Sequence, residues 1–222
     1  MSAPSSAPGR PPTTVQIGLA VGGLLRTWSP SGTQLWQVEN DAVLAAVQGT
    51  GMLARVERGP GRFREAAELD LGDESAPALI LPSGARVGLQ PVSGSVSPRA
   101  DAPQEFVRLI SQAVRHVAET FEFLVIEIGG WAAPAEPYAF FALHVDEDDQ
   151  QLSTVEVSPP PAQSDLWAEH LTPGEDVVSL SAPVTAEALD MAPYYLADAV
   201  PGWGILPWDV ALTFGVRDQA KS

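Results

Sequence analysis

Between Asp101 and Val157 the spacing of apolar residues changes period once, from helical to alternating, and the rest of the chain is placed around that change. Phe106, Ile110, Ala113 and Val117 recur at three- and four-residue steps, with Val107, Val114 and Phe121 widening the stripe, so residues 101–121 read as a helix with one buried face. Asp101 and Gln104 form a capping-box variant at its start, and Pro103 falls in the first turn, where its missing N–H costs nothing. From residue 122 the period is two. Residues 122–128, 138–145 and 152–157 are rich in β-branched and aromatic side chains and predict a three-stranded antiparallel meander. Gly129-Gly130 with Pro134 and Pro137 separate the first two strands, and the acidic run Asp146-Glu147-Asp148-Asp149 separates the last two. Pairing across that acidic tip puts Phe141, Leu143 and Val145 on one face with Val155 and Val157, against the helix. Tyr138, Phe140, His144, Thr154 and Glu156 then point the other way.

The pattern is shorter-ranged elsewhere. Residues 1–14 are Ser/Ala/Pro-rich and read as a disordered tail, and residues 219–222 as a second one. Residues 15–25 fit a Gly-containing strand, 24–28 and 33–38 a hairpin across Ser29-Pro30-Ser31-Gly32 with Trp28 and Trp36 as anchors, and 78–81 with 85–91 a second hairpin around Pro82-Ser83-Gly84. Asn40 or Asp41 caps a predicted short helix ending at Val47, residues 52–57 read as a strand, and 63–71 fit either a strand or a helix. After the meander, 165–171 predict a short helix and 175–180 a short helix or strand. Thr185 caps a helix over 186–200 that Pro193 kinks or restarts near Ala192, and 209–216 form a last strand. The fold class is therefore α+β: a helix packed on a twisted antiparallel meander, with a β-rich N-terminal half. The Ser/Gly/Pro-rich stretch 93–100 divides a β-rich half or domain, 15–97, from an acidic α+β domain, 98–218.

Charge sharpens that division. Of the formal −16 at neutral pH, none belongs to residues 1–100, which hold eight basic and eight acidic side chains, whereas 101–222 hold four and twenty. From His116 to Val216 there is no Lys or Arg and there are seventeen Asp or Glu. Such a field repels nucleic-acid phosphates and anionic membrane surfaces and favours a basic protein partner. The absence of Cys excludes disulfides, thiolate nucleophiles and Cys-based metal sites. No run approaches the roughly 18 apolar residues that span a bilayer. Residues 17–25 imitate the apolar part of a signal peptide, but no A-x-A-like site follows and Arg26 comes directly after, so the expected location is the cytoplasm.

Pro137-Tyr138-Ala139-Phe140-Phe141, the acidic turn, Leu152-x-x-Val155-Glu156-Val157 and then Leu171-Thr172-Pro173-x-Glu175 resemble the helix–strand–strand–strand–helix core of the type III secretion chaperone-like superfamily, of the Tir-chaperone or YbjN type. The resemblance spans residues 101–180 and rests on hydrophobic patterning. It implies a small, acidic, often dimeric protein that binds other proteins.

Motifs that carry chemistry are scarce. Gly49-x-Gly51-x-x-Ala54 matches a dinucleotide fingerprint, but only about seven residues follow before Gly59-Pro60-Gly61, too few for the helix it requires. His144, Asp146 and Asp148 suggest a divalent-ion site, yet a calcium loop would need Gly and an acid where Gln151 and Val157 stand. Glu127 and Glu156 suggest an acid/base pair without a nucleophile beside them. No catalytic residue, metal ligand or cofactor is assigned, and the chain reads as a non-enzyme. Trp203 and Trp208, with Tyr194 and Tyr195, form a C-terminal aromatic cluster. The expected function is an acidic, chaperone- or adaptor-like module that binds a basic protein through Tyr138, Phe140, His144, Glu156, the tip Asp146, Glu147, Asp148 and Asp149, and Trp203 and Trp208. The alternatives are a nucleotide-binding enzyme built on the N-terminal Gly-rich region and a DNA-mimic or immunity-type inhibitor.

Overall fold

The computed structural model describes residues 14–29, 32–38, 44–46, 66–70, 78–80, 84–120, 123–128, 137–172 and 174–215. Residues 1–13 and 219–222 of the expected tails, the 49–54 glycine motif and the 52–57 strand lie outside them, whereas Thr14 belongs to a strand. The fold is α+β, with the strands in the majority.

Helix α1, Ala102–Thr120, buries the predicted stripe: Phe106, Ile110, Ala113, Val114 and Val117 are all shielded from solvent, together with Leu109. The strands β8, Phe123–Ile128, β9, Tyr138–Val145, and β10, Gln151–Ser158, pair antiparallel as predicted. Phe141 stands opposite Val155, and both, with Leu143, Val157, Leu124 and Ile126, join the core beneath the helices. Val145 does not. It is 56% exposed, because its partner Gln151 is the first residue of β10 beside the solvated tip, and Ile128 at the end of β8 is likewise exposed.

Four further elements complete this half. A short helix α2, Asp165–Ala168, is followed by strand β11, Val178–Pro183, which extends the meander beyond β10; the element expected over 175–180 is thus a strand that begins only at Val178. Helix α3, Ala186–Gly202, runs without a break through Pro193, so the expected restart near Ala192 does not occur. Pro193 is buried, and packing against α1 holds the helix together where one backbone donor is missing. Thr185 caps α3, its Oγ1 accepting from the Ala188 amide at 3.1 Å. Replacing Thr185 by Ala is expected to cost about 1 kcal/mol in chemical denaturation, with Ser restoring most of it. Strand β12, Val210–Gly215, then pairs with β8 on the far side of the meander.

The described elements of the N-terminal half are strands. β1, Thr14–Leu19, and β2, Leu24–Ser29, are separate elements rather than one strand, because Gly22 and Gly23 adopt φ of +62° and +81° and turn the chain. β2 and β3, Gly32–Val38, form the predicted hairpin, with Trp36 Nε1 donating to Thr27 Oγ1 at 2.9 Å. The predicted short helix before Val47 is instead strand β4, Leu44–Ala46, set between β1 and a parallel neighbour, β5, Ala66–Asp70. Backbone pairing on both sides overrides the helix propensity of Leu-Ala-Ala. β6, Ala78–Ile80, and β7, Arg86–Pro91, give the second hairpin. Leu25, Val38, Leu79, Val87 and Leu89 form a second, smaller core with Ala20 and the flank of Trp36.

One strand order links everything: β11-β10-β9-β8-β12-β1-β4-β5-β6-β7-β3-β2. β1 therefore pairs with the last strand, Thr14 opposite Gly215. The stretch 93–100 is fastened to the β1–β2 turn, since the Arg99 amide donates to Gly22 O at 3.0 Å and the Gly22 amide to Glu105 Oε2 at 2.7 Å. Arg99 NH2 reaches the same carboxylate oxygen at 3.1 Å, which compensates a side chain buried on α1. Arg26 and Asp209 add an ion pair at 2.5 Å between β2 and the turn that leads into β12.

Candidate partner-binding face

Both long helices lie on one side of the sheet formed by β8 to β12. Strand alternation consequently leaves a second face that no helix covers among the described residues. Across it the registers align Val125, Phe140, Glu156 and Ser179 in one row, and Phe123, Ala142, Thr154 and Ser181 in the next. Glu127 and Tyr138 begin the row on one side, and His144 pairs with Leu152 toward the tip.

The chemistry changes across this face. Toward β8 it is apolar: Phe123, Val125 and Phe140 are half-buried, and the two rings lie 6.0 Å apart at 36°. Phe123 lies over Gly215, where a Cβ would come within 1.9 Å of the ring. Toward β10 and β11 it is polar. Tyr138 Oη donates to Glu156 Oε1 at 2.9 Å, and Thr154 Oγ1 shares hydrogen bonds with Ser181 Oγ at 2.7 Å and His144 Nδ1 at 3.4 Å. Glu127 is buried, accepts from Thr213 Oγ1 at 2.6 Å, and stands opposite Tyr138, whose hydroxyl instead bonds Glu156, so the suggested acid/base pair is not brought together.

Of the residues singled out in the sequence, Tyr138, Phe140, His144 and Glu156 are brought together here. Asp146, Glu147, Asp148 and Asp149 form the β9–β10 tip at the edge of the same face. Asp146 spends one carboxylate oxygen on its own turn, accepting from the Asp148 amide at 2.9 Å and the Gln150 amide at 2.8 Å. Asp149 takes φ +60° there. That is loop-closing chemistry, and no group of three or more His, Cys, Asp or Glu placed to hold a metal ion occurs among the described residues. Trp203 and Trp208 are elsewhere. Trp203 packs against the helix-side core with its Nε1 donating to Pro159 O at 2.7 Å, and Trp208 is buried, so neither contributes to the face. Tyr195 leaves the expected aromatic cluster to stack edge-on with Trp167, ring centroids 5.3 Å apart.

Phe123, Val125 and Thr213 belong to the face and were not singled out in the sequence. The alternation of β8 already sets Phe123 and Val125 opposite Leu124 and Ile126, whereas Thr213 arrives only through the β8–β12 pairing. A separate groove of about 470 Å³ runs between α1 and α3, floored by Val114, Leu189 and Pro193, with Arg115, Asp190 and Tyr194 among its lining. Among the described residues no helix is long and apolar enough to cross a membrane. Comparison with protein-family models, with curated proteins and with solved structures gave no match.

Proposed function

We propose that the protein is a non-enzymatic, acidic binding module of the chaperone or adaptor kind, and that it engages a basic protein partner through the open face of β8 to β11. One observation carries this reading: a half-buried aromatic patch borders a carboxylate, Glu156, that no Lys or Arg pairs among the described residues. The chain supplies no Lys or Arg from His116 to Val216, so a permanent cation for this face has to come from elsewhere or from a distant part of the sequence. Apolar centre and polar rim are the arrangement of a protein interface, and the surrounding negative potential steers a positive partner toward it. The resemblance of residues 101–180 to chaperone-like proteins points the same way.

Titration of the full chain with peptides of equal length, one basic and one acidic, tests the proposal. The basic peptide is expected to bind, with affinity falling roughly tenfold as salt rises from about 0.05 to 0.3 M, because screening shortens the reach of surface charge. Equal binding of both peptides, or affinity that ignores salt, would count against it.

A further inference from the structure

We infer that Tyr138, Phe140 and Glu156 form a subsite for a guanidinium group, so that the partner is selected through an arginine rather than a lysine; this rests on the basic-partner reading and specifies it. Phe140 and Glu156 are direct cross-strand partners in the β9–β10 register, which sets the carboxylate beside the ring. Tyr138 Oη, donating to Glu156 Oε1 at 2.9 Å, fixes the carboxylate in place from the neighbouring row. Phe123 tilts against Phe140 and backs it, and Gly215 leaves the space that lets Phe123 lie there. The result is a supported aromatic surface ending in an oriented negative charge.

A half-buried carboxylate next to aromatic rings has lost part of its hydration, and the Tyr138 hydroxyl replaces only part of it, on one oxygen. The two common cations answer it differently. An ammonium is compact and strongly hydrated, and it gains little by leaving water for a ring and one carboxylate. A guanidinium is planar and weakly hydrated: its face stacks on Phe140 while its edge donates to Glu156. The remaining N–H groups then meet hydroxyls rather than apolar surface. Ser179 is exposed and in register with Glu156, and Thr154 with Ser181 occupies the next row. His144 bonds Thr154 Oγ1 and closes the hydroxyl row on the side of the tip.

Glu127 is no competitor for this role, being buried and bonded to Thr213. The acidic tip attracts cations without sorting them, because Glu147 and Asp148 are solvent-exposed charges. The subsite therefore makes a claim that net charge does not.

The test uses the full chain and two fluorescent peptides of equal length and charge, alternating Ser-Arg and alternating Ser-Lys, read by anisotropy. The arginine peptide is expected to bind about tenfold more tightly than the lysine peptide. Glu156→Gln and Glu147→Gln remove the same charge, yet only Glu156→Gln is expected to bring that ratio near one. Phe140→Leu, which keeps an apolar side chain in the row, is expected to reduce the ratio several-fold, with folding monitored by circular dichroism. Equal affinity of the native chain for both peptides, or a ratio unchanged in Glu156→Gln, overturns the subsite while leaving the basic-partner reading in place. Absence of binding to either peptide at low salt overturns both.

Discussion

Replacing Gly22 by Ala is expected to lower the free energy of unfolding by about 3 kcal/mol, from backbone strain and overpacking together. Gly22 has φ +62°, and a Cβ added there would come 2.8 Å from Ala102 Cβ and 2.9 Å from Pro98 Cβ. Neither neighbour is a flexible side-chain end. Pro98 is held by the Arg99–Gly22 backbone bond in the strap that residues 93–100 form over the β1–β2 turn, and Ala102 is the buried first residue of α1. Any shift that relieved the contact would also lengthen the 2.7 Å bond from the Gly22 amide to Glu105. Gly84→Ala is the matched control. Gly84 has φ +82° but nothing within 4 Å of an added Cβ, so only the backbone penalty of about 1–2 kcal/mol applies. Urea denaturation of the two variants separates the terms, and equal shifts would mean that the strap yields without cost.

Trp167→Ala is expected to cost about 4 kcal/mol, near the upper end for a large buried side chain. The indole is fully buried in the main core, stacks edge-on with Tyr195, and donates from Nε1 to Tyr195 O at 2.9 Å. Trp167 sits in α2, a four-residue helix far too short to persist by itself, whose start is capped by Ser164 Oγ accepting from the Trp167 amide at 3.0 Å. Ser164 Oγ in turn donates to Asp198 on α3. Loss of the indole therefore removes what docks α2, and amide exchange in residues 165–170 should rise toward the unprotected rate. Trp167→Phe retains most of the volume but strands the Tyr195 carbonyl, so a loss of about 1–3 kcal/mol is expected. A Phe variant as unstable as the Ala variant would show that the hydrogen bond outweighs the packing.

What the sequence made legible was local. The α1 stripe, the three strands after it and the Thr185 cap each follow from spacing or from a side chain acting on its own neighbourhood. What it hid was set by partners far along the chain. Leu44-Ala45-Ala46 favours a helix in isolation and becomes a strand because β1 and β5 flank it. Glu105 looks like an ordinary helix-surface acid, yet an amide 83 residues away makes it a buried anchor. The candidate face divides in the same way. Alternation alone set Tyr138, Phe140 and Glu156 on one side, whereas the burial of Glu127 depends on Thr213 from β12. The residue type of Trp208 suggests an interface anchor, and its burial comes from tertiary packing that composition does not reveal.

The position of β12 governs the order in which the molecule is assembled. β8 pairs with β9 and β1 with β4, all nearer in the sequence, and both depend on residues 210–215 for their other neighbour. Until those residues emerge, the growing chain carries two incomplete sheets with unsatisfied edges, each a template for pairing with another molecule. Joining them closes a contact between Thr14 and Gly215, a span that makes the last step slow compared with formation of the meander. Aggregation during refolding should accordingly be set by how quickly this one strand finds its slot.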